Sequence, residues 1–134
     1  MTTFIENMLK THPDGSNGVD TALLADCIAA CIECEVICTS CADACLAEDM
    51  VVDLRECIRR NLDCADVCAA TGKVLARPTS DTVLIRALVE VCRDACVRCA
   101  EECEKHAGMH EHCRVCAEAC RRCEQTCNAL LAAL

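Results

Sequence analysis

The stretch "ADCIAACIECEVICTSCADACLAED", residues 25–49, places six cysteines at steps of four, three, four, three and four. Those steps normally carry leucine along the seam of a helical bundle. The stripe begins with Cys27, Cys31, Cys34, Cys38, Cys41 and Cys45 and recurs three more times. A second segment carries Cys57, Cys64 and Cys68, with Asn61 in the seam position between the first two. A third carries Cys92, Cys96, Cys99 and Cys103, and a fourth Cys113, Cys116, Cys120, Cys123 and Cys127. All 18 cysteines of the chain lie on such stripes. A fold that satisfies this pattern must line its axis with sulfur.

Breaks in the sequence separate the stripes into helices. Pro13, Gly15 and Gly18 set off a short amphipathic helix bearing Phe4, Ile5, Met8 and Leu9, within a leading piece of residues 1–19. "ARPTSD", residues 76–81, reads as a turn, with Thr79 or Ser80 available as an N-cap. Gly108 stands where a C′ glycine ends a helix. The boundary near "LAEDMV", residues 46–51, has neither Gly nor Pro. The remaining segments, about 20–47, 50–76, 80–106 and 110–133, are rich in the helix formers Ala, Leu, Glu and Arg. Short connections imply antiparallel neighbours. The expected fold is all-α, an up-down-up-down four-helix bundle over residues 20–134 with cysteines lining its core.

Composition narrows the function. The formal net charge of −9 argues against a nucleic-acid partner, which needs a basic stripe. With no Trp, no Tyr and one Phe, base stacking and aromatic cages are nearly excluded. No apolar run approaches a membrane span. The first residues lack the basic and apolar regions of an export signal, which reads as a cytoplasmic protein with reduced thiols.

Four readings of the stripe compete. Eighteen thiols as ordinary core residues would leave voids, which destabilise. A disulfide scaffold is disfavoured because i,i+4 neighbours hold their Cβ atoms roughly 5–6 Å apart, wider than the ~3.5–4.5 Å a disulfide needs. Thiol redox or iron–sulfur chemistry finds five C-x-x-C motifs but neither a βαβ context nor a ferredoxin run ending in Pro. The fourth reading is metal binding along the whole axis.

Charge selects the metal. Four thiolates around a zinc dication keep a charge of about −2, and several such sites stacked in a low-dielectric core repel one another. One Cu(I) per thiolate is neutral, and Cu(I) selects soft sulfur. A linear S–Cu–S unit needs sulfurs about 4.3–4.5 Å apart if its bonds are a little shorter than Zn–S. Eight C-x-x-x-C pairs can meet that within one helix: 27/31, 34/38, 41/45, 64/68, 92/96, 99/103, 116/120 and 123/127. The metal would then supply the packing volume that leucine otherwise gives.

The two ends of the bundle differ. One closes with Leu24, Leu75, Ile85, Val89 and Leu130; the other gathers Cys45, Met50, His106, Met109 and His110. Thioether and imidazole can pass Cu(I) inward, which makes the second end the expected entrance. The alternative is that these residues are solvated side chains flanking a glycine turn. His112, just off the seam, is a weaker candidate, and His12 has no assigned role. Asn61 reads as a polar group supporting the thiolates rather than as a ligand.

The strings "CIAACIECEVICTSCADAC" and "CAEACRRCEQTC", with "HAGMH" between the last two helices, resemble the cytosolic copper storage proteins, a family of cysteine-rich four-helix bundles. The resemblance spans about residues 20–130 and implies many Cu(I) ions per chain, a homotetramer and no enzymatic activity. The second segment departs from the pattern, with three cysteines and Asn61. Loading and release would involve a copper chaperone or a low-molecular-weight thiol. Two alternatives remain at this level: a zinc or cadmium buffer of metallothionein type, and a thiol redox protein.

Overall fold

The computed structural model describes residues 2–78 and 81–134. The chain forms α1 (Thr2–Lys10), α2 (Thr21–Leu46), α3 (Arg55–Leu75), α4 (Thr82–His106) and α5 (Glu111–Ala133). The four long helices pack in a ring: α2 against α3 and α5, and α4 against the same two. The diagonal of the ring is occupied by side chains alone. With 26 residues, α2 is roughly 39 Å long at ~1.5 Å per residue.

Local chemistry fixes the ends. Asp20 caps α2, its Oδ1 accepting the amides of Ala22 at 2.8 Å and Leu23 at 3.1 Å. Asp81 caps α4 by accepting the Leu84 amide at 3.0 Å. Thr79 and Ser80, the caps expected there, lie outside the described residues. Between α1 and α2 the backbone turns through left-handed conformations at Gly15, Asn17 and Gly18. Gly108 does follow the end of α4, but without a left-handed φ. The turn instead closes through the amides of Met109 and His110, both bonded to the carbonyl of His106.

The second long segment differs from its expected start at residue 50. Val51–Leu54 form a 3-10 turn, anchored by buried Leu54, and α3 begins only at Arg55. A tight turn does here what Gly or Pro does at the other breaks. Gly72 sits inside α3, where it faces α2: a Cβ built there would stand 3.5 Å from the Cβ of Cys31. That is an ordinary van der Waals contact, so the packing of α3 on α2 does not require glycine at this position.

The core runs the length of the bundle. At one end Leu24, Leu75, Ile85, Val89 and Leu130 are buried together with Thr71, whose hydroxyl is bonded to the Val67 carbonyl at 2.7 Å. Above this plug the interior is cysteine. α1 lies outside on α2, with Leu9 buried and Phe4 and Met8 open to solvent.

Candidate metal centre

All 18 cysteines are free thiols and all are buried. Each helix turns its stripe to the axis because the three/four spacing keeps one face inward. The sulfurs meet chiefly across helices. Cys38 and Cys120 approach to 3.6 Å, Cys68 and Cys96 to 3.7 Å, and Cys31 to within 3.8 Å of both Cys92 and Cys123. Of the eight i,i+4 pairs, Cys34–Cys38 at 3.7 Å and Cys64–Cys68 at 3.9 Å are in comparable contact. The within-helix pairs stand beside these contacts: Cys34–Cys38, Cys41–Cys45, Cys64–Cys68, Cys92–Cys96 and Cys116–Cys120 each fall inside a tetrad of sulfurs no more than 4.8 Å apart. The rotation of each helix about its axis decides which sulfurs meet, and single-helix spacing does not encode it.

The thiols form tetrads with shared members. Cys34, Cys38, Cys64 and Cys120 make one, and Cys34 and Cys64 join Cys68 and Cys96 in the next. Cys68 and Cys96 then join Cys92 and Cys123. Towards the other end, Cys38 and Cys120 meet Cys99 and Cys116. Shared vertices make this a continuous file rather than a set of isolated sites. A further tetrad, Cys41, Cys45, Cys57 and Cys113, lies at the end opposite the leucine plug.

Asn61 stands between that last tetrad and the file. Its side chain is fully buried. Nδ2 donates to Cys57 Sγ at 3.5 Å, while Oδ1 accepts from Cys116 Sγ at 3.0 Å and Cys99 Sγ at 3.1 Å. The amide thus serves sulfurs on three helices and leaves no described buried polar side-chain atom without a partner.

The electrostatics suit a cation. Burial, then repulsion from Cys57, pushes the Cys45 thiol up to about 11. Burial, with repulsion from Cys57 and Cys45, raises Cys113 as well. Cys57 moves the other way, to about 3, because hydrogen bonds from Cys103 and then Cys41 favour its thiolate. Without metal the mouth therefore mixes protonated and ionised sulfur. A cation there relieves the repulsion and releases the protons.

Around the mouth the histidines sort differently from the sequence reading. His106 Nε2 is 3.0 Å from Glu102 Oε2, and His110 Nδ1 is bonded to Glu48. Met50 and Met109 face solvent, the latter 68% exposed. His112, the weaker candidate, is the imidazole that reaches sulfur: its Nδ1 lies 3.4 Å from Cys41 Sγ and 3.6 Å from Cys113 Sγ. Donor type alone pointed to the methionines and to His106. Side-chain direction at the start of α5 points to His112. His12, left without a role, borders an apolar groove between α1 and the α2–α3 pair.

A helical bundle whose axis is a continuous file of thiols, with an imidazole at its open end, is a protein for soft metal ions. The comparisons make this specific. The sequence model of one family, described as "Csp: Copper storage protein", matches residues 20–132, and the chain belongs to that family. The structure of the copper storage protein Ccsp from Streptomyces lividans, loaded with 10 copper equivalents, superposes with a TM-score of 0.95 at 53% identity, covering 97% of this chain and 99% of that one. A second structure, of a cytosolic copper storage protein from the same organism during copper loading, gives a TM-score of 0.83 at 57% identity over 84% of this chain and 94% of that one. A cysteine-rich protein of Bacillus subtilis, YhjQ, is 38% identical over 88 residues, 66% of this chain and 77% of that protein.

Proposed function

We propose that this protein is a reservoir for Cu(I), holding many ions per chain on the thiolates of its 18 cysteines and catalysing no reaction. The observation that carries the reading is the run of thiol tetrads with shared members through the core, with a further tetrad beyond Asn61 at the mouth. A chaperone needs only a few ligands. A file of this length is capacity.

The chemistry supports copper over zinc. Sulfur separations of 3.6–3.9 Å are also close to the ~3.8 Å edge of a tetrahedral zinc–thiolate site. Distance therefore admits both metals and gives the soft divalent buffer its one supporting observation. Charge separates them. Separate tetrads filled with divalent ions would each keep about −2, and sharing thiols reduces that excess without removing it, whereas a monovalent ion for each thiolate leaves none.

Ions enter at the end marked by His106, Met109 and His110, where His112 passes them to Cys41 and Cys113. Asn61 supports the sulfurs around it rather than binding metal itself. Delivery and withdrawal fall to a copper chaperone or a small thiol. The assembly is a homotetramer, for which exposed Ile32, Val36 and Leu62 supply apolar contact surface; sedimentation of the apo and loaded protein reads it directly. The location is the cytosol, as for the Streptomyces lividans protein. No helix among the described residues is long and apolar enough to cross a membrane.

The test is an anaerobic titration of the reduced apo protein with Cu(I) against a competing chelator. The expected break lies near or above one ion per cysteine, that is 18 per chain. A break at about four ions, the divalent four-ligand count, overturns storage of Cu(I).

A further inference from the structure

The outer rim of the mouth carries apolar side chains that the copper file does not use. Leu46 ends α2, Met50 and Val52 lie on the turn between α2 and α3, and Met109 lies on the turn between α4 and α5. They are 61%, 45%, 63% and 68% exposed in that order. The two turns adjoin, since Glu48 on the first is bonded to His110 on the second. Of the 3-10 turn only Leu54 is buried, which leaves Val52 on the outer side. Large apolar side chains gathered at one exposed place mark a surface that meets another protein.

Negative charge is concentrated at the same end. Residues 43–56 and 101–111, which frame the mouth, hold nine acidic and two basic side chains. Residues 16–26, 73–86 and 125–134, which frame the leucine plug, hold three of each. Asp43, Asp49 and Asp53 are exposed and form no ion pair among the described residues.

We propose that Leu46, Met50, Val52 and Met109, with Asp49 and Asp53 beside them, form a docking surface for a Cu(I)-carrying protein whose metal loop is apolar and ringed by lysine or arginine. The proposal rests on the reading that Cu(I) enters the file at this end. An ion held by a small thiol responds to charge but has no use for exposed apolar area. A protein carrier responds to both. An apolar centre inside a charged rim is the arrangement of a protein interface, and opposite charge speeds encounter more than it tightens the complex. That balance suits delivery, because the carrier must leave after each ion. Methionine suits it too, since its flexible thioether adapts to the surface it meets. The transfer itself is a ligand exchange. Cu(I) passes from the carrier's thiolates to those of the tetrad Cys41, Cys45, Cys57 and Cys113, and protons released there pass to the carrier's sulfurs or to water. No oxidation state changes.

The probe is a single-domain carrier holding one Cu(I) on a Cys-x-x-Cys loop, made in two forms, with lysines or with glutamates around that loop. Transfer to the reduced apo protein is followed by stopped flow at low and high salt. Cu(I)–glutathione serves as a donor without a protein surface. At low salt the lysine form is expected to deliver at least ~10-fold faster than the glutamate form, and the gap closes at high salt. Asp49→Lys with Asp53→Lys narrows the gap and speeds the glutamate form. Leu46→Ser with Val52→Ser slows delivery from the lysine form at least ~fivefold and alters delivery from Cu(I)–glutathione by less than about twofold. Both variants keep the parent's Cu(I) count. The comparison of the two carrier forms changes nothing in this protein, so it does not depend on a variant folding. Equal rates from the two forms overturn the surface. So does equal slowing of carrier and glutathione delivery by Leu46→Ser with Val52→Ser. Dissociation of the assembly by that pair in sedimentation overturns it too, and assigns the patch to contact between copies of this chain. In each of these cases a full count from Cu(I)–glutathione leaves the reservoir standing, whereas a count of about four ions overturns the reservoir and the docking surface together.

Discussion

Asn61 is the one seam residue in the middle of the file that is not cysteine, and its amide reaches Cys57, Cys99 and Cys116. Its role separates in two substitutions. Asn61→Ala leaves a cavity and strips three thiols of their amide partner, and is expected to destabilise the apo protein by roughly 1–3 kcal/mol. Asn61→Leu fills the space with apolar atoms and is expected to leave apo stability within about 1 kcal/mol of the parent. Both keep every thiol, so both are expected to bind Cu(I) to within about one ion of the parent if Asn61 only supports its neighbours. Chemical denaturation and metal analysis check the two halves. His112 is the residue that sequence reasoning undervalued. It sits one position before Cys113 and off the inward stripe, so helical periodicity places it at the margin. Only the packing of α5 beside α2 brings its ring to Cys41.

At the scale of the helices, Gly72 invites a direct test. A methyl group there meets Cys31 Cβ at 3.5 Å, an ordinary contact, and replaces a poor helix former in the interior of α3. Gly72→Ala is expected to raise apo stability by up to about 1 kcal/mol, read as a shift in denaturant midpoint. The opposite is expected at the plug. Leu75→Ala, at a fully buried position, should cost the apo protein about 2–5 kcal/mol. The helices themselves were legible in the sequence because the cysteine stripe has helical period and Pro and Gly mark most of the breaks. The seam was legible for the same reason, including the leucine plug and the placing of Asn61 among the thiols. What the sequence withheld was tertiary: which sulfurs face one another across helices, and which way Met50, Met109 and the histidines turn at the mouth. Spacing along one helix carries no information about rotation against the next. The 3-10 turn at Val51–Leu54 escaped because it uses neither of the residues that announce a break.

For the molecule as a whole, the thiols couple metal to protons. Where burial keeps a thiol protonated, as at Cys45 and Cys113, binding Cu(I) expels the proton. Loading in weakly buffered solution at pH 7 is expected to release up to about one proton per ion bound, and affinity is expected to rise with pH. Stability of the metal-free protein should follow the opposite course. The Cys45 thiol ionises at about 11 in the folded chain against an ordinary value of 9.0. A thiol with a raised folded value leaves stability intact below 9.0 and withdraws it as pH climbs towards 11. Apo melting temperatures measured across that window should fall, and the Cu(I)-loaded protein should not share the loss, since its thiols are already ionised.

The leucine plug has a consequence for the order of events. Leu24, Leu75, Val89 and Leu130 close one end of the file, so an ion held deep in it has no exit on that side and must leave past those nearer the mouth. The protein behaves as a stack rather than a pool: the last copper in is the first out. Protein loaded halfway with one stable copper isotope and completed with another is expected to surrender the second isotope first.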